Sequence, residues 1–107
     1  MTDIKILSDA QLALMNAVRL YEEKSKGLGM RLLSEIESSL EIIRRFPECC
    51  PVRSDDTRRY LINRFPYLII YTFHKKKIWF LSFSQCRRKP EYWINRMKNE
   101  FQAASSL

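Results

Sequence analysis

The chain has 107 residues, of which 46% are hydrophobic and 29% charged, and its formal net charge is +7. That length supports one domain with one core, and the composition is globular rather than disordered. With 2 Gly and 4 Pro, low-complexity and collagen-like readings fail. The longest largely apolar stretch, residues 65–73, is far short of the ~20 residues that span a bilayer.

Residues 3–7 are short and Ile-rich, which predicts a first strand. Ser8 or Asp9 is placed to cap a following helix. Over residues 9–26, Ala10, Leu14, Ala17, Val18 and Tyr21 recur at helical spacing and make one apolar stripe. Gly27 and Gly29 are the only glycines, and Gly27 is suited to the left-handed conformation that ends a helix. A second helix is predicted to about residue 46, with Leu33, Ile36, Leu40 and Ile43 on one face and Pro47 as its stop. Together the two make an antiparallel helical hairpin. Residues 47–57 read as a loop. The period then changes: residues 58–64 alternate in part, and Pro66 breaks them. Residues 67–73 and 78–83 are dense in Ile, Tyr, Phe and Trp, as buried antiparallel strands are. Residues 74–77 between them have the length of a four-residue hairpin loop. Pro90 suits a first helical position, and residues 91–104 read as a last helix with Trp93, Met97 and Phe101 inward. The order β-α-α-β-β-β-α is an α+β fold: a small antiparallel sheet, an N-terminal helical hairpin and a C-terminal helix, in one domain over residues 1–107.

The three cysteines, Cys49, Cys50 and Cys86, are an odd number. Two are adjacent, which suits neither a disulfide framework nor a C-x-x-C metal pair. With 1 His in the chain, no metal site and no cofactor is expected. Reduced thiols, and a start without a basic region followed by an apolar block, predict a cytoplasmic protein with no membrane partner. The charge is uneven. Residues 1–50 hold seven Lys/Arg against eight Asp/Glu, and residues 51–107 hold twelve against four. A half with +8 predicts a polyanionic partner, either nucleic acid or an acidic protein segment.

Several segments resemble one known family. Tyr21-Glu22-Glu23 followed by Gly27-Leu28-Gly29, and the run from Ile36 to Ile43 ending in Phe46-Pro47, resemble the helical hairpin of the RelE/ParE toxin superfamily. Arg58-Arg59-Tyr60-Leu61 followed by Arg64-Phe65-Pro66-Tyr67-Leu68-Ile69-Ile70-Tyr71 resembles its central strand pair. Arg87-Arg88-Lys89-Pro90-Glu91-Tyr92-Trp93 and Arg96 resemble its final segment. Many relatives carry a His just before that last motif, where this chain has Gln85. The resemblance implies the toxin of a type II toxin–antitoxin pair, of the plasmid-stabilisation type, neutralised by a small acidic antitoxin with a segment that folds on binding. The +8 half agrees with such a partner on independent grounds.

The resemblance leaves two chemistries open. ParE-like members poison DNA gyrase, whereas RelE-like members cut ribosome-bound mRNA. Cutting RNA through its own 2′-hydroxyl needs a base, an acid and cations for the phosphorane. Arg59, Arg64, Arg87 and Arg88 could supply cations with the fork geometry phosphate prefers. Arg88 and Tyr92 are the catalytic candidates under a RelE-like reading. No His or carboxylate pair is placed beside the arginines, and Gln85 has no titration near neutral pH. The Arg-Phe-Pro-Tyr strand entry and Pro-Glu-Tyr-Trp ending favour the ParE-like branch. Arg59, Arg64, Arg87 and Arg88 are then expected to bind the antitoxin. A non-toxic basic nucleic-acid-binding domain is the third reading.

Overall fold

The computed structural model describes residues 2–86. Its elements are β1 (Ile4–Ile6), α1 (Ser8–Lys24), α2 (Leu28–Arg45), β2 (Arg58–Leu61), β3 (Tyr67–His74) and β4 (Lys77–Gln85). The expected C-terminal helix over residues 91–104 lies outside the described residues.

Each helix is held by specific local chemistry. Ser8 and Asp9 do not cap α1: both are inside it, Leu7 is the cap residue, and no side chain caps the helix. Asp9 instead lies in the first turn, where its charge suits the helix dipole. Between the helices Gly27 has φ 89°, the left-handed conformation. The start of α2 is then capped from a distance. The Glu22 carboxylate accepts the N–H of Gly27 at 2.9 Å and that of Gly29 at 3.0 Å. One side chain of α1 thus satisfies two of the free donors every helix start presents. Gly29 is buried, and a Cβ there would lie 2.5 Å from the Val18 carbonyl oxygen. The hairpin's close approach therefore requires this glycine.

The buried stripe of α2 is Leu32, Ile36, Ser39 and Ile43, one residue rotated from an all-apolar reading. Leu33 and Leu40 flank it, partly buried. Ser39 enters the core because its hydroxyl donates to the Glu35 carbonyl at 2.7 Å, leaving no unmet donor.

The sheet order is β1-β4-β3-β2. β2, β3 and β4 are antiparallel, as expected, but β1 pairs with β4 in parallel. The sheet is thus mixed rather than wholly antiparallel. The physical reason is the helical hairpin, which carries the chain back across the sheet so that β1 fills the free edge of β4. The four-residue loop expected at residues 74–77 is a two-residue turn. His74 pairs with Lys77, and Lys75 and Lys76 have φ 51° and 63°. Two successive positive φ values define the hairpin turn whose twist matches that of the strands.

One core lies between the hairpin and one sheet face. Tyr71, Phe80, Ile69 and Ile78 of the sheet share one buried cluster with Ala10, Leu14 and Ala17 of α1 and Leu32, Ile36 and Ile43 of α2. Tyr67 stacks on Phe83 with centroids 4.6 Å apart, and Tyr21 of α1 meets the Phe65 edge at 5.2 Å. At ~25 cal/mol per Å² of apolar surface, these large side chains supply most of the driving force for folding.

Candidate partner-binding face

Strand alternation gives the sheet two unlike faces. Register neighbours share a face. Tyr71 with Phe80 and Ile69 with Phe83 point to the helices. Thr72 with Trp79, Ile70 with Ser82 and Leu68 with Ser84 therefore share the opposite face. These six residues are half-buried. Neither α1 nor α2 covers this side.

Basic groups frame that mixed strip, in which Leu68, Ile70 and Trp79 alternate with the hydroxyls of Thr72, Ser82 and Ser84. Lys5 pairs in register with Trp79 and holds its ammonium 5.4 Å from the indole centroid, a cation–π arrangement. On the far edge Arg59 pairs in register with Ile70 and is exposed. At the end where the β3–β4 turn projects, a cavity of about 670 Å³ is lined by Asp56, Arg58, Thr72, His74 and Trp79, among others. His74 is thus the last rung of a strand rather than a loop residue.

Of the expected site residues, the structure describes two. Arg59 and Arg64 are both exposed, and neither is in an ion pair: among the described residues the ion pair is Arg45 with Glu41. They do not converge. Arg59 sits mid-strand on the face turned away from α1 and α2, whereas Arg64 is in the β2–β3 turn beyond the end of β2. Its φ of 69° thrusts it outward between the buried anchors Ile62 and Phe65. Arg87, Arg88 and Tyr92 lie outside the described residues. The last described residue, Cys86, donates its N–H to the Pro66 carbonyl at 2.8 Å. The end of β4 therefore lies beside the β2–β3 turn, at a residue two positions from Arg64.

Arg58 behaves differently from Arg59. Its side chain turns toward the helix side and donates to the Cys50 carbonyl, tying the α2–β2 loop to the sheet edge. Asp55, a carboxylate that might have paired with it, instead accepts the Thr57 hydroxyl at 2.6 Å and the Thr57 N–H at 3.2 Å. These bonds hold the Asp55 carboxyl below its ordinary pKa. Burial raises the phenols of Tyr60, Tyr67 and Tyr71, so none of these hydroxyls is poised as a base.

The described part of the site thus combines a half-buried strip of apolar side chains and hydroxyls with outward-pointing cations. It offers docking chemistry rather than a proton-transfer constellation. Sequence reasoning missed the Lys5–Trp79 pair and the placement of Trp79, which reads as core. Apolar residues on both sides of β3 and at the start of β4 conceal which residues face the helices, and nothing local announces that β1 lies beside Trp79.

No protein-family model matches the chain, and no curated protein matches it. A solved structure does. A chain of "Chromosomal ParDE TA system from P. aeruginosa" superposes with a TM-score of 0.67 at 16% identity, over 79% of this chain and 96% of that one. The two share a fold, and it is the fold that the sequence resemblance implied. Among the described residues no helix is long and apolar enough to cross a membrane.

Proposed function

We propose that this chain is the toxin of a type II toxin–antitoxin module, of the ParE-like kind, and that it acts by binding rather than by catalysis. The observation that carries this is the fold shared with a chain of a ParDE system over 96% of that chain's length. The sheet face turned away from α1 and α2 supports it. A strip of Leu68, Ile70 and Trp79 interleaved with Thr72, Ser82 and Ser84, and flanked by Lys5 and Arg59, complements an amphipathic acidic segment, with hydrophobic anchors for affinity and opposite charge for capture rate. The antitoxin segment crosses this face and extends over Arg59, Arg64, Arg87 and Arg88. DNA gyrase is the target to test first.

The test is brief induction of the chain in cells, with growth, transcript ends and gyrase supercoiling read together. Growth should stop, a reporter transcript should stay intact, and purified gyrase should lose supercoiling activity when the chain is added. New 5′ ends within the translated region would replace this reading with a ribosome-dependent nuclease and make Arg88 and Tyr92 the first residues to mutate. Unimpaired growth with abundant folded protein would overturn the toxin reading in that host. Reversing Arg87 and Arg88 to Glu tests the antitoxin's position: the complex should weaken, and unchanged affinity would refute it.

A further inference from the structure

The turn between β3 and β4 carries a charge pattern that the partner-binding face does not use. From Thr57 to Cys86 the chain holds six Lys/Arg and no Asp or Glu. Three of the six are consecutive, Lys75, Lys76 and Lys77, and His74 precedes them. All four of these residues are exposed.

The backbone concentrates them at one point. His74 pairs with Lys77 as the last rung of the ribbon, so Lys75 and Lys76 form its tip. β2 stops pairing at Tyr71, which leaves Thr72, Phe73 and His74 of β3 beyond that edge. Adjacent like charges repel, and both tip lysines hold a left-handed conformation that Asn-Gly adopts more readily. Folding alone gives no reason for that choice. Strain of this kind persists where a side chain has another role. Two acids approach from neighbouring segments. The Asp3 carbonyl takes the Ile78 N–H at 3.1 Å, and the Asp56 carbonyl takes the Thr72 hydroxyl at 3.1 Å. Neither carboxylate pairs with the turn: among the described residues the ion pair is Arg45 with Glu41.

The shape of the tip selects the polyanion. At the tip itself there is nothing apolar to bury, because Ile78 is buried, Phe73 packs against the core and Trp79 belongs to the face described above. An acidic peptide that orders on binding needs apolar anchors. A phosphate backbone does not, since its affinity comes from release of condensed counterions. Two strands ~4.8 Å apart fit the B-form major groove, which is ~12 Å wide and admits a β-ribbon. The deep, narrow major groove of A-form RNA does not. Lysine ammoniums are point charges that meet phosphates without regard to base sequence.

We propose that the β3–β4 turn is a sequence-independent contact for duplex DNA, with Lys75, Lys76 and Lys77 on phosphates that border the major groove. The contact lies at the other end of β3 from Arg64. It rests on the turn alone and is independent of the toxin reading.

The test is fluorescence anisotropy of a labelled, mixed-sequence DNA duplex with the full chain over a range of salt. Lys75→Asn with Lys76→Gly removes two charges at a turn that the new pair suits, and a thermal melt checks the fold. Affinity should fall about tenfold at ~0.1 M salt, and the slope of log affinity against log salt should become shallower by about two. Lys24→Gln with Lys26→Gln removes equal charge near Tyr21, which meets Phe65 and Tyr67 at the opposite end of β3. β3 has 8 residues, a length of roughly 25 Å that exceeds the ~10 Å screening length, so this control should stay within about twofold of wild type. Equal losses in the two variants would mean that net charge alone attracts DNA, and the site would fall. An unchanged slope in the turn variant would also overturn it. An RNA duplex, phosphatidylserine vesicles and poly-glutamate should each lose less than DNA does when the turn is changed. An equal or larger loss on any of them would assign the turn to that class of partner and overturn the proposal. A last measurement needs no variant. Bound duplex should shield Lys75, Lys76 and Lys77 from acetic anhydride and leave Lys24 and Lys26 reactive, as read by mass spectrometry. Uniform shielding would overturn the site as well.

Discussion

The α1–α2 turn and the two strand turns meet the same backbone demand with opposite chemistry. Each needs a left-handed residue. Between the helices the chain uses Gly27 at φ 89°, and the Glu22 carboxylate takes up the Gly27 and Gly29 N–H groups. Between the strands it uses Arg64 at φ 69° and Lys75 and Lys76 at φ 51° and 63°. Side chains in that region cost roughly 1–2 kcal/mol each relative to a right-handed conformation. The helical turn is therefore optimised for folding, and the strand turns are not. All three strained lysines and arginines are exposed and basic. The difference locates where stability is concentrated and where charge display takes precedence over it.

The largest effect that would break this contrast is at Gly29. Alanine there would drive its Cβ to 2.5 Å from the Val18 carbonyl oxygen and 2.9 Å from the Glu22 Cβ, and neither the helix backbone nor a β-carbon can swing away. Gly29→Ala should cost about 2–3 kcal/mol, as overpacked sites do. Urea denaturation should show it as a lower midpoint at unchanged slope. An effect below ~0.5 kcal/mol would mean that the helices separate easily and that the hairpin is not the rigid part.

Next is Glu22. Glu22→Ala leaves the Gly27 and Gly29 donors to water or to nothing, and the Gly29 residue is buried. A loss of about 1–2 kcal/mol is expected, in the range for removal of a helix cap. Glu22→Gln should recover part of it, because one amide oxygen can still accept. Equal losses in both variants would mean that charge, rather than acceptor geometry, holds the turn.

Replacement of Lys75-Lys76 by Asn-Gly should move stability the other way. That pair fits the turn geometry the strands require. Relief of two left-handed side chains is partly offset by the greater freedom of glycine in the unfolded chain, which leaves a gain of about 1 kcal/mol. Thermal melting should rise by roughly 4–8 °C for a domain of this size. No gain would show that the lysines are not strained and would remove half of the contrast.

How much of this was legible in the sequence depends on whether the signal was local. Gly27 and Pro47 mark the turn after α1 and the end of α2, and the apolar spacing of Ala10, Leu14 and Ala17 finds the buried side of α1. The strand runs of β3 and β4 are recognisable from composition. What fails is everything fixed at long range. The parallel pairing of Ile4 with Ile78 has no local trace. The helix-facing set of β3 is masked because Leu68 and Ile70 on the far face are as apolar as Ile69 and Tyr71, and an irregular register between Ile70 and Tyr71 shifts the alternation between β3 and β4. Lys75 and Lys76 do not announce a tight turn, since the usual Asn-Gly signal is missing. The site was legible only in part for the same reason. Arg59 and Arg64 read as cations wherever they sit, but only the register shows that Arg59 shares a face with Ile70 and that Arg64 stands apart at a turn.

Arg64 offers the finest test of the contrast, because it is both strained and a proposed partner contact. Arg64→Gly removes a side chain that touches no ion partner among the described residues and relaxes a φ of 69°. The expected stability gain is about 0.5–1 kcal/mol, the smallest of the four. Association with the acidic antitoxin segment should nevertheless slow, because a rim charge acts mainly through capture rate and salt dependence. The check is stopped-flow association at two ionic strengths beside a thermal melt. A more stable variant that binds more slowly, with a shallower salt response, separates the two roles of this turn. Stability gained with association untouched would leave Arg64 as a turn residue alone and would move the contact surface to Arg59 and the mixed strip beside it.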